Sequence, residues 1–147
     1  MELRSVSYDD ARPLTLALSA EMTLRYGGGE EGPAHPEQFL PPYGVFLVVT
    51  EDGTDVACGG LRLHHEGVGE VKRMYVEPGA RGRGLSRLVL QALLDHAREA
   101  GLREVWLETG SEQPEARRLY ESAGFEAIPP YGDYKDDERS RCYRLVL

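Results

Sequence analysis

The sequence predicts an α+β protein, a mixed and mostly antiparallel β-sheet with helices packed on it. Apolar residues alternate with a period of two through the middle of the chain, and a helical stripe then lies between two strand-like segments. The hydrophobic fraction of 41% and the charged fraction of 29% are typical of a folded globular protein. At 147 residues, the chain is expected to form one domain over residues 1–147.

The N-terminal part predicts a short strand, a helix and a long irregular segment. After a strand around residue 3, the pattern predicts a helix from about Asp10 to Arg25, with Asp10 as its N-cap and Pro13 in its first turn. Residues 26–43 show no regular period and are expected to hold at most one helical turn, near residues 37–40. Long irregular segments in compact domains are usually functional or mobile.

The rest of the chain predicts three antiparallel strands followed by a strand–helix–strand unit. Turn signals at Glu51-Asp52-Gly53 and Glu66-Gly67 separate the three strands. The helical stripe begins at Gly84 and ends at Gly101, which suits a C-cap. The strands flanking this helix are expected to be parallel, with a right-handed crossover. In order, the segments are strands 45–50, 56–63 and 70–77, helix 84–101, strand 105–107, helix 114–124, and strands 125–128 and 142–147.

The charge balance argues against a nucleic-acid partner. Seventeen basic and 25 acidic side chains give a formal charge of −8, whereas nucleic-acid binders present a basic face. Residues 70–87 nevertheless hold five basic and two acidic side chains. A basic island in an acidic chain indicates an anionic ligand, although a solvated charge run would look the same.

The compartment is expected to be the cytoplasm. No apolar run approaches the roughly 18 residues that a membrane helix needs, so no membrane partner is expected. The N-terminus lacks the apolar stretch of a secretory signal. Cys58 and Cys142 provide neither a disulfide framework nor a metal-binding spacing, which is usual in a reducing compartment.

The segment Val76–Ser86 predicts an anion site, because it joins a strand end, a glycine-rich turn and a helix start. The first N–H groups of a helix have no intrahelical acceptor, and the helix dipole adds positive potential there. Gly82 and Gly84 permit positive φ and close approach of a phosphate, and Arg81 and Arg83 add charge. An ordinary glycine-bearing turn is the alternative interpretation.

Two other phosphate-binding loops are excluded by their spacing. The Gly-x4-Gly-Lys-Ser/Thr pattern of a P-loop is absent from the chain. A dinucleotide fingerprint requires a third glycine where Arg87 stands.

The turn resembles the acetyl-CoA-binding signature of the GNAT superfamily of N-acetyltransferases. That signature, Arg/Gln-x-x-Gly-x-Gly/Ala, reads here Arg81-x-x-Gly84-x-Ser86, and serine is small enough for the last position. A second family segment, A-x-x-L-Y-E-x-x-G-F, is similar to residues 116–125. Gln113 stands where many members carry asparagine. The resemblance covers about residues 44–128.

The resemblance implies acetyl-CoA as cosubstrate, no metal, and a defined cofactor path. The strands at 70–77 and 104–109 should splay apart, with pantetheine in the gap and the pyrophosphate on the amides that follow the first strand. Proteins of this kind are often homodimers, so a homodimer is one possible state, although the sequence itself does not give the oligomeric state. The cofactor-binding residues so implied are Met74, Val76, Arg81, Gly82, Arg83, Gly84, Leu85, Ser86 and Gln113.

The implied reaction is direct attack on the thioester by the primary amine of a small molecule. Glu70 is the first candidate for the general base, and His64 and His65 are alternatives. The backbone amide near Met74 would stabilise the oxyanion. Tyr120 corresponds to the family's general acid. Because the ordinary pKa of tyrosine is higher than that of a thiol, full proton transfer to the thiolate is unfavourable, and donation of a hydrogen bond is the alternative. The alternatives are a solvated edge role for Glu70 and a packing role for Tyr120.

The acceptor is expected to contact residues 26–43 and the segment around residues 129–134. Tyr131, Tyr134 and Asp133 suit a cationic amine through cation–π and charge contacts, unless they only shape a rigid turn. A protein or peptide N-acetyltransferase and a non-catalytic acyl-CoA-binding module are the alternative functions. Trp106, between two apolar residues, is expected in the core.

Overall fold

The computed structural model describes residues 1–27 and 34–147, and it confirms the predicted mixed sheet. Seven strands lie in the order β1-β2-β3-β4-β5-β7-β6, and only β4 and β5 pair in parallel. The strands are β1 Glu2–Ser5, β2 Val45–Glu51, β3 Thr54–His65, β4 Val68–Val76, β5 Glu104–Gly110, β6 Glu126–Ile128 and β7 Ser140–Val146. The helices of the described residues are α1 Arg12–Tyr26, α2 Leu85–Glu99 and α3 Pro114–Ser122, with short 3₁₀ turns at Asp9–Ala11, Pro36–Phe39 and Pro78–Ala80.

The helix ends follow local chemistry with one departure from the sequence prediction. Asp10 is not the N-cap of α1, because its N–H donates back to Ser7 and it lies within the preceding 3₁₀ turn. Ala11 takes the N-cap position, and Pro13 lies in the first turn as predicted. The turn at Pro36–Phe39 confirms the single helical turn expected in the irregular segment, whose residues 28–33 lie outside the described residues.

The sheet has an apolar core on each face. One face packs against α2 and α3, and the other packs against α1 and the Pro36–Phe39 turn. Because side chains alternate along a strand, Val105 and Leu107 point to the α2 side and Trp106 to the opposite side. Trp106 is only half-buried there, so the prediction that it belongs to the core is wrong.

Two adjacent glycines in β3 allow the helices and neighbouring strands to approach closely on both sides of the sheet. A Cβ on Gly59 would collide with the side chains of Met74 and Val89. On the other face, a Cβ on Gly60 would lie 2.6 Å from Phe46 and 2.7 Å from Phe39. Both phenylalanines are buried, so neither ring can move without disturbing the core.

The parallel pair stops before either strand ends. β4 and β5 pair from Val68 and Glu104 to Val71 and Leu107, and both strands then continue without a shared register. The change coincides with Arg73, a non-glycine residue at φ +60°, opposite a register shift in β3. A bulge of this kind bends its strand, which accounts for the divergence. Among the described residues, no helix has the length and apolar character needed to cross a bilayer.

The glycine packing generates a stability prediction. Replacing Gly60 by alanine should lower the free energy of unfolding by roughly 1–3 kcal/mol, because the added methyl group overpacks the aromatic core. Gly79→Ala is the matched control, since its Cβ meets nothing within 4 Å and its φ is not positive. Urea unfolding measures both values. Equal stability of the two variants would contradict the packing.

Candidate active site

The gap between the diverging strands opens into a cleft of about 440 Å³. The C-terminal half of α1 lies across it, and α3 and the segment before β7 complete its walls. Ion pairs fix α1 in this position, because Arg25 contacts Glu115 of α3 at 2.7 Å and Glu21 contacts Arg81 at 2.7 Å. The cleft is therefore bounded by elements that are tied to one another.

Tyr120 lies on α3 and lines the cleft. Its side chain is buried, and its ring packs against Phe125 and Tyr143 with centroids 5.8 and 6.4 Å away. Within the described residues its hydroxyl makes no hydrogen bond. Burial raises the pKa of Tyr120 above its ordinary value, so the hydroxyl is held as a proton donor.

Glu70, the first candidate base, does not have the solvated edge position that was its alternative interpretation. It lies on the central strand β4 in register with Arg62 and Trp106, and it is buried rather than at a solvated edge. Its Oε1 accepts from Arg62 Nε at 3.0 Å, and its Oε2 accepts from the Tyr131 hydroxyl at 2.9 Å. Both carboxylate oxygens are thus occupied, and Glu70 does not line the cleft.

The histidine candidates are the exposed members of an aromatic group beside Glu70. His64 and Trp106 each contact the other three rings of the group, which also includes His65 and Tyr131, with ring centroids 4.9–5.4 Å apart. Burial lowers the pKa of His64, and burial together with the Glu70 charge raises the pKa of Tyr131. Neither histidine lines the cleft.

Of the residues expected to contact the acceptor, Tyr26 and Tyr134 line the cleft. The Tyr131 hydroxyl is engaged by Glu70, and Asp133 is exposed outside the cleft. The sequence prediction therefore includes two cleft residues, Tyr26 and Tyr134, and two that do not line the cleft, Tyr131 and Asp133.

Glu108 is a cleft residue that sequence reasoning missed. It follows Trp106 on the polar face of β5 and accepts a hydrogen bond from Ser140 Oγ at 2.9 Å. Burial raises its pKa above the ordinary value, and the Ser140 hydrogen bond opposes this shift. The period-two pattern of β5 was the available signal, since a carboxylate two residues after Trp106 must share its face.

Lys72 was missed as well. It lies on β4 where the strands diverge, and its side chain lines the cleft. Burial lowers the pKa of its ammonium group, and the charge of Glu70 opposes this shift. The cleft therefore contains both a carboxylate and an ammonium group with shifted pKa values, which is typical of functional sites.

The glycine-rich turn has the conformation expected of an anion site. Gly82 and Gly84 have φ of +78° and +80°, and α2 begins directly after them. Within the described residues, the N–H groups from Gly82 to Ser86 donate to no protein acceptor. Leu85 is buried and anchors the helix start, while Ser86 is half-buried.

The two arginines of the turn are engaged by the protein. Arg81 Nε donates to the Val76 carbonyl at 2.9 Å, and its guanidinium contacts Glu21 and lies over the Tyr75 ring. Arg83 pairs with Glu51 at the surface. Arg81 therefore braces the turn against α1 and β4, and the free donors of the turn are its backbone amides.

Gln113 closes the other end of the cleft. Its Oε1 accepts from the Gly110 N–H at 3.0 Å and from the Tyr26 hydroxyl at 3.1 Å. Met74 lines the cleft between this end and the glycine turn. Glu77, the first residue after β4, lies three positions beyond Met74, roughly 10 Å of extended chain. The described residues hold no group of three or more His, Cys, Asp or Glu side chains arranged for a metal.

Comparison with known proteins assigns the fold and the family. The profile of the Acetyltransferase (GNAT) family matches residues 15–125, so the chain belongs to that family. It is 45% identical over 96 residues to the IAA acetyltransferase of Azospirillum brasilense, covering 65% of this chain and 63% of that protein. The chain thus spans somewhat less than two thirds of that relative.

Two solved structures share the fold over nearly the whole chain. A Klebsiella pneumoniae protein assigned as an acyl-CoA N-acyltransferase superimposes with a TM-score of 0.82 at 30% identity, covering 99% of this chain and 97% of that one. The PaiA N-acetyltransferase of Thermoplasma acidophilum, solved in complex with coenzyme A, has a TM-score of 0.75 at 15% identity, covering 99% and 98%.

Proposed function

We propose that the protein transfers an acetyl group from acetyl-CoA to the primary amine of a small molecule. The observation that carries this proposal is the arrangement along β4. Free backbone amides at residues 82–86 lie beyond one end of the strand, and the cleft with Tyr120 and Glu108 lies beside its middle. A cofactor extended along β4 would place its diphosphate on the amides and its thioester in the cleft.

The proposed cofactor contacts combine the turn and the cleft. Met74 and Gln113 line the cleft, and Val76 and the turn continue from it. The PaiA N-acetyltransferase shares the fold and was solved in complex with coenzyme A, which supports this cofactor class. The proposed contacts are Met74, Val76, Arg81, Gly82, Arg83, Gly84, Leu85, Ser86 and Gln113.

A small-molecule acceptor is favoured by the shape of the cleft. Its volume falls within the usual range for small-ligand pockets, about 300–1,000 Å³. α1 lies across it and is fixed by ion pairs at both of its sides, which leaves a bounded pocket rather than a groove for a polypeptide.

The chemistry proceeds by direct attack of the amine nitrogen on the thioester carbonyl. The new N–C bond forms, the C–S bond breaks, and the ammonium proton passes to the base. Glu108 is the base that the cleft favours, with Glu70 as the second candidate. The Tyr120 hydroxyl donates to the departing thiolate, and the backbone amide near Met74 stabilises the oxyanion.

A covalent acetyl-cysteine route is disfavoured. Neither Cys58 nor Cys142 lines the cleft, and burial raises the pKa of Cys58 to about 12. Burial also raises the pKa of Cys142. Both thiols are therefore protonated and weakly nucleophilic near neutral pH.

Tyr120→Phe tests the role of the hydroxyl. We expect kcat to fall by about 10²-fold, with a smaller change in KM for acetyl-CoA, because the hydroxyl acts on the leaving thiolate. Thiol release measures both constants. Tyr143→Phe is the control, since it removes a buried hydroxyl beside the same ring, one that bonds Glu121 outside the cleft. An unchanged kcat would remove Tyr120 from the mechanism.

Glu108→Gln and Glu70→Gln separate the two candidate bases. Glu108→Gln should lower kcat/KM by about 10²–10⁴-fold. It should also abolish an acid limb in the wild-type pH profile, because the raised pKa of Glu108 means that the base is lost as pH falls through a value above that of an ordinary glutamate. Glu70→Gln should mainly lower stability, by roughly 1–3 kcal/mol, because it removes the charge from the buried partner of Arg62, which keeps its hydrogen bond to Gln38.

A large loss of kcat/KM in Glu70→Gln, with little change in Glu108→Gln, would assign the base role to Glu70. Retained affinity for coenzyme A, with no thiol release by the wild-type protein across a panel of amines and peptides, would favour the non-catalytic module instead. Turnover of peptides alone would favour a protein acetyltransferase.

A further inference from the structure

Lys72 is a cleft residue that the proposed chemistry does not use. The chain contains 15 arginines but only two lysines, Lys72 and Lys135. Lys135 is exposed on the segment before β7, whereas Lys72 points into the cleft from β4. A lysine in a chain that otherwise uses arginine places a compact point charge where a wide, planar guanidinium would fill the space.

The charge of Lys72 is not balanced by a direct contact. Within the described residues, its ammonium makes neither an ion pair nor a hydrogen bond. In the same cleft, Arg139 pairs with Asp137 at 3.0 Å and donates to the Tyr26 carbonyl at 3.1 Å. Arg73 donates to the Tyr8 hydroxyl at 3.4 Å.

An ammonium group in this setting is stabilised by an anionic ligand. Its surroundings withdraw it from water, and the charges that act on it are those of Glu70, Glu108, Arg62 and Arg73. Desolvated charges without a partner are costly, so a bound carboxylate would recover the lost interaction.

We infer that Lys72 binds a carboxylate of the acceptor, and that the acceptor is a compact amino acid in which the carboxylate lies next to the reactive amine. This inference rests on the proposed function and specifies its acceptor. Glu108 faces the same cleft with the opposite charge. A zwitterion therefore fits with its ammonium group toward Glu108 and its carboxylate toward Lys72, which presents the amine to the base.

A zwitterionic acceptor differs from the cationic amine that Tyr131, Tyr134 and Asp133 suggested. The formal charge of −8 belongs to the whole chain, whereas the cleft is lined by three basic side chains and two acidic ones. The basic residues are Lys72, Arg73 and Arg139, and the acidic residues are Glu108 and Asp137. The local charge pattern therefore differs in sign from the chain as a whole.

Matched acceptor pairs test the inference. Glycine is compared with methylamine, and phenylalanine with phenethylamine, by thiol release from acetyl-CoA. We expect kcat/KM to be at least about tenfold higher for the amino acid of each pair, the size of one charge-assisted hydrogen bond. Lys72→Met should bring this ratio close to one, and Lys72→Arg should retain part of it. Lys135→Met, the other lysine of the chain, should leave the ratio unchanged.

Equal kcat/KM within each pair for the wild-type protein, or an unchanged ratio in a folded Lys72→Met, would overturn the inference. Turnover of methylamine with no preference for glycine would leave the proposed function standing and remove only the acceptor assignment.

A binding measurement keeps the two hypotheses separate if no acceptor is turned over. In the presence of coenzyme A, NMR titration compares N-acetylglycine with N-methylacetamide, the two products of the smaller pair. Tighter binding of N-acetylglycine to the wild-type protein, lost in Lys72→Met, supports the carboxylate site without turnover. Equal binding of both products overturns it.

Discussion

The early end of the β4–β5 ladder is the constraint on which the site depends. Strand pairing satisfies backbone N–H and C=O groups, so two parallel neighbours that stop pairing leave such groups facing a gap. The bulge at Arg73 bends β4 away after Val71, and the gap becomes the cleft. A continuous ladder would leave no space between the strands for an acyl group.

The structure surrounds this gap with fixed elements. The double glycine of β3 brings α2 and the aromatic core close to the sheet, which positions the start of α2 just beyond β4. Arg81 links the turn to α1 and to the Val76 carbonyl, and Arg25 links α1 to α3. Arg81 and Arg83, the arginines of the glycine-rich turn, are thus bonded to the protein itself rather than left free for a ligand. They hold the backbone amides in position, and the amides remain available.

The sequence predicted the order and type of the elements well, because periodicity is a local property. The strands, the crossover helix and the glycine turn were found at nearly their observed bounds. Two features were not predictable in the same way. Trp106 has apolar neighbours in sequence but faces the opposite side of the sheet, and only the sheet topology shows that the core formed with α1 does not extend to it. Asp10 has the chemistry of a cap, but Ser7 starts the turn earlier.

The candidate site was predicted less completely than the fold. The motif residues of the turn and of α3 were recognised from spacing, whereas Glu108 and Lys72 belong to no spaced motif. They become neighbours of Tyr120 only because two strands diverge, a consequence of the bulge. Glu70 shows the opposite case, a residue with suitable chemistry whose two oxygens are occupied by Arg62 and Tyr131. Side-chain partners of this kind depend on strand register, which a single sequence defines poorly.

Amide hydrogen exchange followed by NMR, with and without coenzyme A, tests the central claim most directly. Free amides from Gly82 to Ser86 should exchange rapidly in the protein alone and become protected when coenzyme A binds, together with amides of β4 beyond Val71. Binding of coenzyme A without protection at either place would contradict the account, because the cofactor would then occupy another surface.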